Sequence, residues 1–375
     1  MISSDRILPN PLRGAVPAPT PGPDPLAFHR RLPGYEVTPL VEAPSVARRL
    51  GVGSVWVKDE SHRLGLPSFK ILGASWATYR TLVDRLGRDV EPWSDVAELS
   101  ERLSPLRPLT LAAATDGNHG RAVARMAALL GLGARIFVPA GTARARIEAI
   151  EGEGAEVEVV AGTYDDAVRR AAGEASPKCA VISDMAVTDG DASPRLVIEG
   201  YSTIFRELDE QLPEPVDLFA VQVGVGALAA AAVLHYRGSE ARLVGVEPEE
   251  AACVMASIRA GEIVSLPGEQ HSIMAGLNCG TPSAVAWPIV SAGIDLFVAV
   301  PDDQVPEAVR LMAEAGIVSG ETGAAGAAGL LEALTGPDAE ATRELLRVDG
   351  STRVLLLSTE GATDPESYRE SLARP

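Results

Sequence analysis

Leu109 to Val138 reads LTLAAATDGNHGRAVARMAALLGLGARIFV. An apolar run ends at Thr115, and a polar turn rich in glycine follows. The next stretch places Val123, Met126, Ala127 and Leu130 on one helical face, and a short apolar strand, Ala134 to Val138, closes the unit. Strand, turn, amphipathic helix and strand in this order form a β-α-β unit, which requires a parallel pair of strands.

The pattern extends in both directions. Downstream come a helix at Ala143 to Glu151, a strand at Glu156 to Val160, a helix around Tyr164 to Ala172 and a strand at Ala180 to Asp184. A second α/β series follows Pro213, with strands at Asp217 to Val223, Arg242 to Val246, Asp295 to Val300 and Thr352 to Leu357. Two series predict an α/β protein of two domains, each with a mainly parallel sheet flanked by helices. The smaller domain is placed at 96–212 and the larger is built from 26–95 plus 213–375. Residues 1–25 are read as a proline-rich arm, with proline at every second position from Pro17 to Pro25, and folding proper is expected to start near Leu26. The active site is expected at strand carboxyl ends where the domains face each other.

Composition narrows the partners. The chain has 375 residues, 46% hydrophobic and 22% charged, which describes a globular enzyme with a sizeable core. A formal net charge of −18 argues against nucleic acid or an anionic membrane, since both demand a basic surface, and favours a small molecule. No apolar run is long enough to span a membrane. Cys179, Cys253 and Cys279 lack metal-ligand spacing and read as reduced thiols, so a cytoplasmic protein without a metal site is expected. Of 33 basic residues, Lys58, Lys70 and Lys178 are the only lysines. Arginine does not replace lysine in a Schiff base, because its guanidinium stays protonated.

Three constellations can carry chemistry. Ser68-Phe69-Lys70-Ile71-Leu72-Gly73-Ala74 sets a lysine among apolar neighbours where a loop meets a helix-like run. Poor solvation lowers an amine's pKa toward the nucleophilic range, and the alternative is a lysine that snorkels to the surface. Thr115-Asp116-Gly117-Asn118-His119-Gly120 exposes an acid and an amide at a helix start, where they serve either a ligand or as helix caps. Val223-Gly224-Val225-Gly226-Ala227-Leu228 joins strand to helix through glycines, as a phosphate cradle or as a tight packing turn. The dinucleotide fingerprint fails for want of its third glycine. Together, a shielded lysine, an Asn-bearing turn and a phosphate cradle meet the needs of pyridoxal 5′-phosphate.

With these residues the chain resembles the fold type II pyridoxal phosphate enzymes, the tryptophan synthase β-like group, and within it the diaminopropionate ammonia-lyases. The matching segments are Phe28-His29, Pro33-Gly34-Tyr35, Thr38-Pro39-Leu40, Val57-Lys58-Asp59-Glu60-Ser61, Phe69 to Ala74, Thr115 to Arg121, Glu199-Gly200-Tyr201, Ile273 to Leu277 with Cys279-Gly280 and Trp287, Ser319-Gly320-Glu321, and Thr359-Glu360-Gly361 with Thr363-Asp364. The resemblance implies that Lys70 is the imine partner of the cofactor and Asn118 binds its phenolic oxygen. It implies further that Gly224, Val225, Gly226, Ala227 and Leu228 bind the phosphate, Glu321 lies near the ring, and Ser358 or Thr359 meets the pyridine nitrogen. Asp116 stands where dehydratases and cysteine synthases usually carry Ser or Thr. Asp116 and Asp184 match positions tied to the substrate's side-chain amine and to proton transfer.

The implied reaction is elimination of ammonia from 2,3-diaminopropionate, with a homodimer as the family expectation. Serine or threonine dehydration, or β-replacement, is the nearest alternative, and a non-catalytic cofactor-binding protein is the remote one. Two departures bear on substrate choice. Pro67 precedes Ser68-Phe69-Lys70 where a polar residue is expected, and Ala227 stands where many relatives carry a further glycine.

Overall fold

The computed structural model describes residues 2, 5–19, 22–186 and 192–374. Its strands are β1 (Ile7–Pro9), β2 (Leu40–Glu42), β3 (Ser54–Asp59), β4 (Thr110–Ala114), β5 (Gly133–Pro139), β6 (Glu156–Val160), β7 (Cys179–Val181), β8 (Leu218–Gln222), β9 (Arg242–Pro248), β10 (Leu296–Val300) and β11 (Arg353–Ser358). The helices that carry or flank the residues of interest are α1 (Lys70–Leu86), α2 (Asn118–Leu130), α3 (Arg144–Glu151), α4 (Tyr164–Ala172), α5 (Ala227–His235), α6 (Glu321–Thr335) and α7 (Pro365–Ala373).

The chain divides into two compact units, one of residues 1–20, 38–62 and 205–375, the other of 21–37 and 63–204. The larger unit holds a seven-stranded sheet in the order β1-β10-β9-β8-β11-β3-β2. Its five inner strands run parallel, while β1 and β2 pair antiparallel at the two edges. Every residue of β8 and β10 is buried, as expected of strands covered on both faces. The smaller unit holds an all-parallel sheet in the order β6-β5-β4-β7. Its helix α4 starts on a capping box in which Thr163 and Asp166 satisfy each other's backbone N–H groups.

Three stretches group otherwise than the sequence suggests, and the first, residues 26–37, joins the smaller unit, where His29 Nδ1 lies 2.7 Å from Thr203 Oγ1. Residues 63–95 group with the smaller unit, because α1 packs along α2 and a Cβ on Gly73 would stand 2.6 Å from the Tyr201 ring. Residues 205–212 group with the larger one, where Phe205 meets Phe219 and Glu207 pairs with Lys58. Order also begins before Leu26. Ile7 is buried in β1, and Asn10 donates to the carbonyls of Ser291 and Ile294. The proline arm around Pro17 follows this edge strand, and Thr20 and Pro21 lie outside the described residues.

Candidate active site

In each unit the residues of interest gather at strand carboxyl ends. In the smaller one, Lys70 is the first residue of α1, and no side chain caps that helix. Its Nζ lies 3.2 Å from Asp184 Oδ2, just beyond β7, and 5.7 Å from the centre of the Phe69 ring. The other oxygen of Asp184 accepts from the Tyr164 hydroxyl at 2.9 Å. Burial by itself raises the Asp184 pKa. The Lys70 ammonium, first, and the hydrogen bonds from Tyr164 and Lys70 outweigh it and hold the carboxyl below the usual range. An ionised acid therefore faces the lysine.

Two further side chains close this corner. His119 Nε2 lies 2.9 Å from the Ile182 carbonyl, while Nδ1 is buried and finds no partner among the described residues. Burial, with Lys70 adding to it, pushes the imidazole pKa down against the pull of Asp184, so the ring is neutral at pH 7. Tyr201 is fully buried and its ring lies 4.7 Å from that of Phe69. Its hydroxyl also lacks a described partner, and burial raises its pKa. Tyr164 entered the sequence reading only as the start of a helix, and His119 and Tyr201 lay in quoted motifs without a role. Nothing in their local sequence points toward Lys70.

Asp116 and Asn118 stand on the turn from β4 into α2. Gly117 makes the turn possible, with φ 153° and its N–H donating to Thr115 Oγ1 at 2.8 Å. Neither Asp116 nor Asn118 caps α2, so the capping alternative for this turn is not what the chain adopts. Both side chains are half-buried, and Asp116 Oδ2 lies 3.9 Å from Arg146 Nη1.

The larger unit carries the second group. Gly226, at φ 100°, opens α5, and no side chain caps that helix. A Cβ on Gly224 would lie 3.2 Å from Cys279 Sγ and 3.5 Å from the Gly276 carbonyl oxygen. Ser283 N–H donates to the Val225 carbonyl at 2.9 Å, and the Ser283 hydroxyl is buried without a described partner. The segment from Ile273 to Trp287 thus covers one side of the glycine turn. Ser358, at the end of β11, donates to Ser319 Oγ at 2.9 Å, and Thr359 Oγ1 lies 3.5 Å from the Thr322 carbonyl. Glu321, at the start of α6, accepts from Ser367 and Ser371 of α7 at 2.7 and 2.9 Å, which commits one of its oxygens to that helix.

These residues fit pyridoxal phosphate. In the smaller unit a partly shielded lysine offers an amine, and in the larger an uncapped helix start behind two glycines offers N–H groups to an anion. No group of three or more acidic, His or Cys side chains suited to a metal occurs among the described residues. No described helix is long and apolar enough to cross a membrane.

Comparison with known proteins agrees. Residues 31–346 match the family model described as pyridoxal-phosphate dependent enzyme. The diaminopropionate ammonia-lyase of Salmonella typhimurium is 36% identical over 371 residues, 93% of this chain and 91% of that protein. That of Escherichia coli is 35% identical over 357 residues, 92% of this chain and 89% of that protein. The crystal structure of the Escherichia coli enzyme with an aminoacrylate-PLP azomethine reaction intermediate has a TM-score of 0.87 at 32% identity, covering 98% of this chain and 96% of that one. Its complex with D-serine has a TM-score of 0.88 at the same identity and coverage. Maize serine racemase, at 22% identity and a TM-score of 0.69, shares the fold. From the lysine and the glycine turn to the match over most of its length, the chain belongs to the pyridoxal-phosphate dependent enzymes of fold type II.

Proposed function

We propose that this enzyme eliminates ammonia from 2,3-diaminopropionate, and that hydrolysis of the released aminoacrylate gives pyruvate and a second ammonia. The observation that carries this reading is the acid at position 116, in the place of a dehydratase hydroxyl, in a chain 35–36% identical to diaminopropionate ammonia-lyases along nine-tenths of its length. An amine leaves well only when protonated, and a carboxylate holds the β-amine as its ammonium.

When bound, the cofactor supplies an electron sink for the pair left at Cα. Lys70 takes its aldehyde, Asn118 its phenolic oxygen, and Gly224 to Leu228 its phosphate. Glu321 stands by the ring. Thr359 serves the pyridine nitrogen in preference to Ser358, whose proton goes to Ser319. Lys70 or Asp116 removes the Cα proton, according to the configuration of the substrate. Asp116 holds the β-amine as its ammonium, so that ammonia leaves with the electron pair of the C–N bond. Asp184, fixed by Tyr164, holds the Lys70 ammonium in place between proton transfers. The acidic chain and its family support a cytoplasmic homodimer acting on a small amino acid.

The test is a panel of D- and L-diaminopropionate, serine, threonine and O-acetylserine, with pyruvate or 2-oxobutyrate measured. Faster release from diaminopropionate is expected. Serine turned over far better than either diaminopropionate isomer would overturn the reading in favour of a dehydratase.

A further inference from the structure

Arg146 lies in the first turn of α3, and its side chain is only 12% exposed. It leans on the Asp116 turn from three directions. Its Cδ would be 3.1 Å from a Cβ on Gly117, its Nη1 is 3.4 Å from the Asp116 carbonyl oxygen, and the same nitrogen is 3.9 Å from Asp116 Oδ2. Its Nε is buried and has no hydrogen-bond partner among the described residues. An unmet N–H in the interior costs about 1–3 kcal/mol, so packing alone does not account for a guanidinium here.

The geometry points to Arg146 as the positioning residue of Asp116, a role that rests on the elimination reading given above. The length of the contacts is informative. Arg125 in the same unit grips Glu153 at 2.5 and 2.9 Å, a closed fork that occupies both oxygens. Arg146 stands further from Asp116 and leaves its oxygens open to another donor. A cation at 3.9 Å still draws the carboxylate toward it and fixes the turn that carries it, while the β-ammonium of the substrate supplies the close hydrogen bond. The carboxylate is thus oriented but not consumed. Because Arg146 also repels the β-ammonium, it keeps that group from binding too tightly in the ground state, where tight binding gives no acceleration.

The test uses the holoenzyme with Arg146→Gln and Arg146→Lys, measuring turnover of diaminopropionate and, separately, the apparent Kd for diaminopropionate and for serine from the change in cofactor absorbance. Arg146→Gln is expected to lower kcat between about ten- and a hundredfold without raising KM, as a misplaced acid does. The apparent Kd for diaminopropionate should not rise and that for serine should stay unchanged. Arg146→Lys, which keeps the charge, should recover part of the rate. Weaker binding of both amino acids, or a loss of cofactor affinity or Tm in step with kcat, would show a purely structural arginine and overturn the proposal. If the unsubstituted enzyme releases no pyruvate from diaminopropionate, the elimination reading has failed, and the two Kd values still test whether Arg146 sets the charge at the turn.

Discussion

Each unit sets a lysine against a buried carboxylate, and the two pairs are built to opposite ends. In the larger unit Lys58 is 0% exposed, with Nζ 2.7 Å from Glu207 Oε2, 2.7 Å from Gln211 Oε1 and 2.8 Å from the Thr38 carbonyl oxygen. In the smaller one Lys70 is 18% exposed and meets Asp184 at 3.2 Å. Three short hydrogen bonds use every N–H of an ammonium and leave nothing to react. A longer contact and partial exposure keep an amine reachable. In a chain with three lysines, chemistry is separated from scaffolding by how deeply the nitrogen is buried and how closely its carboxylate holds it, which the residue name does not reveal.

The sharpest break of this contrast is Lys70→Ala. It should abolish the visible absorbance of the lysine-bound cofactor and lower activity by about 10³-fold or more, whereas Lys58→Met should leave the absorbance in the protein that folds. Borohydride reduction followed by peptide mass mapping should place the cofactor on Lys70 alone. Lys58→Met should instead cost stability, about 3–5 kcal/mol in denaturant melts, because Glu207 is left buried without its cation. A change below about 1 kcal/mol would deny Lys58 its scaffolding role.

Around Lys70 the partners should matter in order of their charge. Asp184→Asn should lower kcat about a hundredfold, and Tyr164→Phe, which removes one hydrogen bond to Asp184, about three- to tenfold. The reverse ranking, read from steady-state kinetics, would mean that Tyr164 acts directly and not through Asp184.

A third buried acid sharpens the picture with the smallest effect. Glu247 accepts from the N–H groups of Val254 and Met255 at 2.8 Å each, yet burial pushes its pKa up from 4.5 to about 8. Between those values the folded state binds more protons than the unfolded, so this group's stabilisation is full below pH 4.5 and is lost as pH rises through about 8. Glu247→Gln should flatten that part of the Tm–pH profile. An unchanged slope would refute the assignment.

Much of the fold follows from local pattern. The strand at Glu156–Val160 and the helix at Tyr164–Ala172 fall where alternation and helical periodicity put them, because those signals come from neighbours along the chain. The antiparallel edges β1 and β2 gave no such signal. Each is three residues long, too short for a clear alternation, and β1 pairs with β10 at the other end of the chain. The grouping of α1 with the small sheet was also hidden, since it depends on which face of the helix packs and on the close approach of Gly73 to Tyr201.

Lys70 shows where the division lies. By itself the sequence determined that a scarce lysine sits among apolar residues, that an acid and an amide share a glycine turn at Asp116 and Asn118, and that Gly224 to Leu228 form a strand-to-helix turn, because spacing and residue type are local properties. Tertiary structure alone decided that Asp184, 114 residues away, faces Lys70, that Tyr164 fixes Asp184, and that Arg146 leans on Asp116. Distances between segments are set by packing of the whole sheet and its helices, and no short window of sequence contains them.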